Sequence, residues 1–287
     1  MARLDVNGIG IAYEIIGDGD RSAIITAGGR FPKETPGVRE LALELAKRGF
    51  RTVIWDRPNC GASDISFSGE TESRMNADAL AGLLRGLDMA PALVIGGSAG
   101  ARVSLLAAVY HPDVVDRLAM LWITGGALSL AMLAHIYCHD PMFAAALGGM
   151  EAVAALPGWK ELVEQNPRNR EILLAQDPEA FIEKMKAWGG SLIATDGQAV
   201  PGLSAAQLEG LKMPVLVFRG GKSDVHHPRE TSEAVHRAIP GSSLVEPPWG
   251  DREWLDRCAA QIRGEGLFAR WPLLAPQLLE FAKAEVG

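Results

Sequence analysis

The sequence predicts one α/β domain: a mostly parallel sheet with helices on both faces, carrying an inserted helical cap. Three observations carry that reading. Short apolar runs alternate with helical patterns from about residue 22 to residue 124. Strand-like runs then cease until about residue 211, and the alternation resumes at residue 214. Short buried strands separated by helices belong to parallel sheets covered on both sides.

Taken in order, Leu4 and Val6 alternate with polar residues, Asn7-Gly8 supplies a two-residue turn, and Ile9, Ile11 and Tyr13 alternate on the return. That is a hairpin signature. Residues 22–26 form an apolar strand, and 38–49 a helix with Leu41, Leu45 and Ala46 on one stripe. A strand at 51–56, a helix at 76–88 and a strand at 92–96 follow. Residues 99–110 are helical, and 117–124 make the next strand. From 125 to 211 the pattern is helical only, punctuated by Gly148-Gly149, Pro157-Gly158, Pro167, Pro178 and Gly189-Gly190. A strand at 214–219, a helix at 229–239, a strand at 243–246 and a helix at 274–284 complete the chain. The expected division is a core of residues 1–124 and 212–287 with a cap of 125–211.

At 287 residues, 48% apolar and 22% charged, the chain can bury a core that needs neither disulfide nor metal. A net charge of −7 with scattered basic residues argues against a nucleic-acid surface. Cys60, Cys138 and Cys258 show no metal-ligand spacing and point to a reducing cytoplasm. The first residues lack a signal-peptide core, and apolar stretches break before the roughly 20 residues that cross a bilayer. Neither a dinucleotide fingerprint nor a phosphate-binding loop occurs, so no cofactor and no metal is expected. Self-association is left open.

The sharpest motif is Gly96-Gly97-Ser98-Ala99-Gly100, placed between a predicted strand and a predicted helix. A sharp strand-to-helix turn lifts a serine hydroxyl clear of the sheet, and it needs small neighbours because side chains there would strike the adjoining elements. The helix N-terminus then offers free N–H groups and the positive end of its dipole to a developing oxyanion. Ser98 is the candidate nucleophile.

With three further stretches the chain resembles the α/β-hydrolase superfamily with an inserted helical cap. The run from Asp56 to Asp64 resembles that family's turn after the fourth strand. Ala27-Gly28-Gly29-Arg30 lies where the family keeps its oxyanion loop, and Gly220-Gly221-Lys222-Ser223-Asp224 resembles the loop of the acidic triad member. The resemblance implies an α/β-hydrolase fold, Ser98 as nucleophile and Asp224 as acid. It also implies oxyanion donors from Ala99 and Gly29, with Arg30 as the alternative to Gly29.

The family's base is a histidine after the last strand, and this chain has no histidine after His236. Aligned from the terminal helix, Glu265 occupies that slot. A serine hydroxyl is a poor nucleophile without an adjacent base, and a carboxylate near its ordinary pKa is a weak one. Burial beside Asp224 would strengthen Glu265 as a base. The other solution is a histidine from the loop that follows Asp224, with His227, just before Pro228, preferred over His226. The base therefore stands open between His227 and Glu265.

The cap segment is rich in Leu, Met, Phe and Trp, which predicts an apolar pocket and a small apolar substrate. Tyr137, Trp249 and the pair His135 and His139, four apart on one predicted helix face, are the candidate pocket residues. The expected chemistry is hydrolysis of an ester, lactone or activated C–C bond. A non-hydrolytic lyase or isomerase, or an inactive ligand-binding protein, would use the same fold.

Overall fold

The computed structural model describes residues 2–193, 195 and 198–283. β1 (Ala2–Val6) and β2 (Ile9–Ile16) form the expected hairpin, and Asn7 and Gly8 both take positive φ, 55° and 81°. That conformation matches the turn to the twist of the strands. β3 (Arg21–Thr26), α1 (Val38–Ala46), β4 (Phe50–Trp55), α2 (Glu72–Gly86), β5 (Ala92–Gly97), α3 (Ala99–Tyr110) and β6 (Val115–Leu121) follow. α2 starts before the predicted residue 76 because Thr71 caps it, accepting from the Arg74 N–H at 3.0 Å. β6 stops before residue 124 because Trp122 turns into left-handed conformation with φ 48°.

Between β6 and β7 the chain is helical. α4 (Ala127–Ala134) runs through a π-helical turn at His135–His139 into α5 (Asp140–Ala155), which kinks at Gly148 and Gly149. α6 (Pro157–Gln165), α7 (Arg168–Leu174), α8 (Pro178–Gly190) and α9 (Ala205–Glu209) follow. The last part contains β7 (Val215–Phe218), α10 (Arg229–Ala238), β8 (Ser243–Val245), α11 (Glu253–Ile262) and α12 (Ala275–Phe281). The predicted end of the last helix at Ala284 lies outside the described residues. No single helix among the described residues is long and apolar enough to cross a membrane.

The eight strands lie in the order β1-β2-β4-β3-β5-β6-β7-β8, with β1 and β2 antiparallel and the others parallel. Side chains alternate between two cores. Ile24, Val53, Val94, Leu118 and Val217 face the core of α2 and α3. Ile25, Ile54, Ile95, Leu121 and Phe218 face that of α1 and α12. Both faces are dry, so these strands read as continuous apolar runs.

The inserted helices dock on the loop after β4. Phe67 of that loop packs among Trp159, Phe181 and Trp188, and the Trp188 indole donates to the Gly69 carbonyl at 3.1 Å. Asn169, fully buried, accepts from Ile65 N–H at 2.9 Å and donates to Ser63 O at 3.1 Å. A satisfied buried amide of this kind fixes one docking register.

Candidate active site

In the order β4-β3-β5 the chain leaves β3 on one side and returns on the other. Ligands of open α/β sheets bind outside the carboxyl ends of the strands at such a reversal. The loop after β3 and the turn after β5 meet there.

Ser98 follows β5 and caps α3 with φ 57° and ψ −123°, a conformation that non-glycine residues adopt only under strain. The surroundings enforce it. A Cβ on Gly96 would sit 2.3 Å from the Gly100 carbonyl oxygen, and one on Gly100 would sit 2.2 Å from that of Thr26. Glycine at both positions lets α3 start close enough to β3 and β5 to hold the serine at the corner.

His227 and Asp224 meet Ser98 from the loop between β7 and α10. The Ser98 hydroxyl donates to His227 Nε2 at 2.8 Å, and His227 Nδ1–H donates to Asp224 Oδ2 at 2.8 Å. This assignment of protons follows from the carboxylate, which can only accept at Nδ1. The other oxygen, Oδ1, accepts the backbone N–H groups of His226 and His227 at 2.9 and 3.0 Å, a local turn that aims the imidazole. Arg257 on α11 donates to Oδ2 at 2.7 Å, pairs with Glu253 at 3.2 Å and lies 3.7 Å from the Trp122 ring centroid. Trp122 in turn stacks on His227.

Burial alone would raise the Asp224 pKa. The hydrogen bond and charge of His227, with the Arg257 charge, outweigh it and bring the carboxyl to about 2. Burial lowers His227, and the pull of Asp224 offsets this only in part. The imidazole is therefore neutral at pH 7 and free to accept a proton. Burial raises Glu253 to about 7, against the pull of Arg257.

The loop after β3 presses on the nucleophile: a Cβ on Gly28 would lie 2.7 Å from Ser98 Cβ. Gly29 takes φ 51°, and Arg57 donates to its carbonyl. Asp56 anchors the loop by accepting from Lys33 N–H at 2.7 Å and Lys33 Nζ at 3.2 Å. Gly29, Arg30 and Ala99 line one cavity together with Arg102, Thr124 and Tyr137. Its volume is about 40 Å³, room for roughly three waters. A substrate must be slender, or the helices above must part. Arg30 points its side chain at Glu72, 2.9 Å away, and under Tyr137, so only its backbone N–H is available to an oxyanion.

Other expected residues lie elsewhere. Glu265 is not brought to Ser98: it is half exposed after α11 and bonded to Arg263 at 2.5 Å. That corrects its reading as a base, because the preceding residues fold into α11 and leave the histidine-like slot at the surface. His135 is exposed beside Asp140, 3.4 Å away, and His139 lies against Gly189 in a separate groove. Neither lines the cavity: one faces Asp140 and the other Gly189. Trp249 packs on Trp122, below the site, and only Tyr137 of these four reaches the cavity. Arg257, Glu253 and Thr124, whose hydroxyl is 3.3 Å from Ser98 Oγ, were not foreseen. The Glu253–Arg257 spacing of four on an amphipathic segment was the available signal for the first two.

Comparison with known proteins agrees with this fold. Residues 31–251 match the family model for the alpha/beta hydrolase fold. Human "Serine hydrolase BPHL" is 25% identical over 252 residues, covering 87% of this chain and 79% of the relative. The enol-lactonase structure from Burkholderia xenovorans LB400 superposes with a TM-score of 0.59 at 19% identity, covering 99% of this chain and 100% of that one. MGS-M2, an alpha/beta hydrolase from a Medee basin deep-sea metagenome library, gives 0.64 at 16% identity, covering 100% and 99%.

Proposed function

Because the chain belongs to the alpha/beta-hydrolase family, we propose that it is a serine hydrolase of small esters or lactones, with Ser98, His227 and Asp224 as its catalytic residues. The observation that carries this reading is the relay of two 2.8 Å hydrogen bonds running from a strained strand-to-helix corner to a buried, ionised carboxylate. Ser98 Oγ attacks the carbonyl carbon as His227 Nε2 takes its proton. Asp224 holds the imidazole in the right tautomer and stabilises it once charged. The N–H groups of Ala99 and Gly29, with that of Arg30 as the alternative, receive the oxyanion. Collapse of the tetrahedral intermediate expels the alkoxide, which takes the proton from His227. Water then repeats the sequence on the acyl-enzyme, and the acid and Ser98 are released.

In this reading residues 125–211 act as a cap that closes the cavity and excludes water. The three free cysteines suit a reducing compartment. An imidazole base hydrogen-bonded to the serine hydroxyl supports nucleophilic catalysis over ligand binding alone. The names of the relatives, a serine hydrolase and an enol-lactonase, support ester and lactone chemistry.

A fluorophosphonate probe should label Ser98 in the intact protein and fail on Ser98→Ala, while 4-nitrophenyl esters or simple lactones turn over only when labelling occurs. Turnover that survives Ser98→Ala would exclude this mechanism.

A further inference from the structure

We propose that Arg102 anchors an anionic end of the substrate, so that the esters or lactones hydrolysed carry a free carboxylate a few bonds from the scissile carbonyl. This rests on the serine-hydrolase reading for the reaction, though not for the binding.

Arg102 lies on α3, four residues after Ser98, and is 5% exposed. Its Nε and Nη1 have no hydrogen-bond partner among the described residues, and Nη2 makes one long bond, 3.3 Å, to the Ser191 carbonyl. Burial lowers its pKa to about 10, and no carboxylate among the described residues offsets the effect. It is nevertheless charged at neutral pH. A buried charge without a counter-ion is costly, and so are several unmet N–H donors.

Among the described residues the cavity supplies no partner. Glu72, which lines it, already bonds the Arg30 guanidinium and the Asn59 amide. Arg57 is bound to the Gly29 carbonyl. On the outer side, Arg102 borders a crevice with Glu70, whose exposed carboxylate makes no ion pair with it among the described residues.

Position completes the inference. Arg102 lines the same cavity as Ala99 and Gly29. Arg102 follows Ser98 by four residues on α3, about 6 Å or one turn along the axis. A planar guanidinium pairs well with a carboxylate, and the narrow cavity favours that flat group. The cavity wall thus carries Ala99 and Gly29 beside the Ser98 corner, and Arg102 as an anion site one turn further along α3.

The test compares mono-4-nitrophenyl adipate with 4-nitrophenyl hexanoate, which match in length and differ in the terminal charge. The intact protein should favour the anionic ester by at least about tenfold in kcat/KM. That ratio should collapse toward one in Arg102→Met and be partly kept in Arg102→Lys. An intact protein with no preference, or a ratio that Arg102→Met leaves in place, overturns the proposal. If Arg102→Met does not fold, the intact protein and Arg102→Lys decide. A second readout needs no turnover: adipate titrated calorimetrically into Ser98→Ala should bind, and binding should vanish in Ser98→Ala/Arg102→Met. Adipate that binds through Arg102 while a phosphonate leaves Ser98 unlabelled would sink the hydrolase reading and keep the anion site. Equal turnover of both esters with no adipate binding would do the reverse.

Discussion

Asp224→Asn tests the relay most directly. The carboxylate accepts four hydrogen bonds, two from backbone N–H groups at Oδ1 and two at Oδ2, from the His227 imidazole and the Arg257 guanidinium. An asparagine oxygen can replace Oδ1. Its NH2 group then faces two donors at once. To avoid that clash the imidazole must move its proton from Nδ1 to Nε2, and the lone pair that should receive the Ser98 proton is lost. Two hydrogen bonds to a charged acceptor disappear, each worth about 1.5–3 kcal/mol. The expected loss is about 3–6 kcal/mol, or roughly 10²- to 10⁴-fold in kcat/KM. The same change in the Ser-His-Asp triad of a serine protease is known to cost about 10⁴-fold. The assay is hydrolysis of 4-nitrophenyl acetate between pH 5 and 9, on protein whose urea unfolding midpoint is measured in parallel. A folded Asp224→Asn protein within tenfold of the unaltered chain would refute the role given to this carboxylate.

Other outcomes follow from the same geometry. His227→Ala should lose about 10²-fold or more in kcat/KM, whereas Glu265→Gln, at an exposed ion pair, should change it less than threefold, both read with one chromogenic ester. Because burial holds His227 below its ordinary pKa of 6.5, the base is neutral above that value and protonated only in acid. The kcat/KM profile should therefore rise with pH, inflect below 6.5 and stay level through pH 8; an inflection above 7 would contradict this environment. Asp56→Ala strips a buried partner from the 2% exposed Lys33 and should destabilise the fold by about 3 kcal/mol, seen as a lower urea midpoint with unchanged m-value.

The sheet was legible because its strands are apolar on consecutive residues, a pattern that only burial on both faces produces. The Ser98 corner was legible because glycine at 96 and 100 is a steric requirement that leaves few substitutes. Asp224 and His227 lie three residues apart on one loop, so sequence proximity could nominate them. It could not choose between His227 and Glu265, because that choice depends on where residues 247–265 run. No element was expected between the strand at 243–246 and the final helix, and Glu253–Ile262 fold there into α11, which carries Arg257 inward and leaves Glu265 exposed. Arg102 escaped notice for a related reason. Nothing in a linear pattern tells a buried arginine without a counter-ion from one at the surface of an amphipathic helix. His135 and His139 misled because a shared face says nothing of which way that face looks, and here it carries them to Asp140 and to Gly189 rather than to the cavity.

The imidazole and the carboxylate share a single turn between β7 and α10, and the backbone N–H groups of residues 226 and 227 tie them together. Their separation is therefore a local property of four consecutive residues, indifferent to how distant segments settle. Whatever happens to the chain after β8 alters the support behind this pair, through Arg257, and leaves the distance between its members alone. A permuted chain, opened between β8 and α11, would put that independence to use.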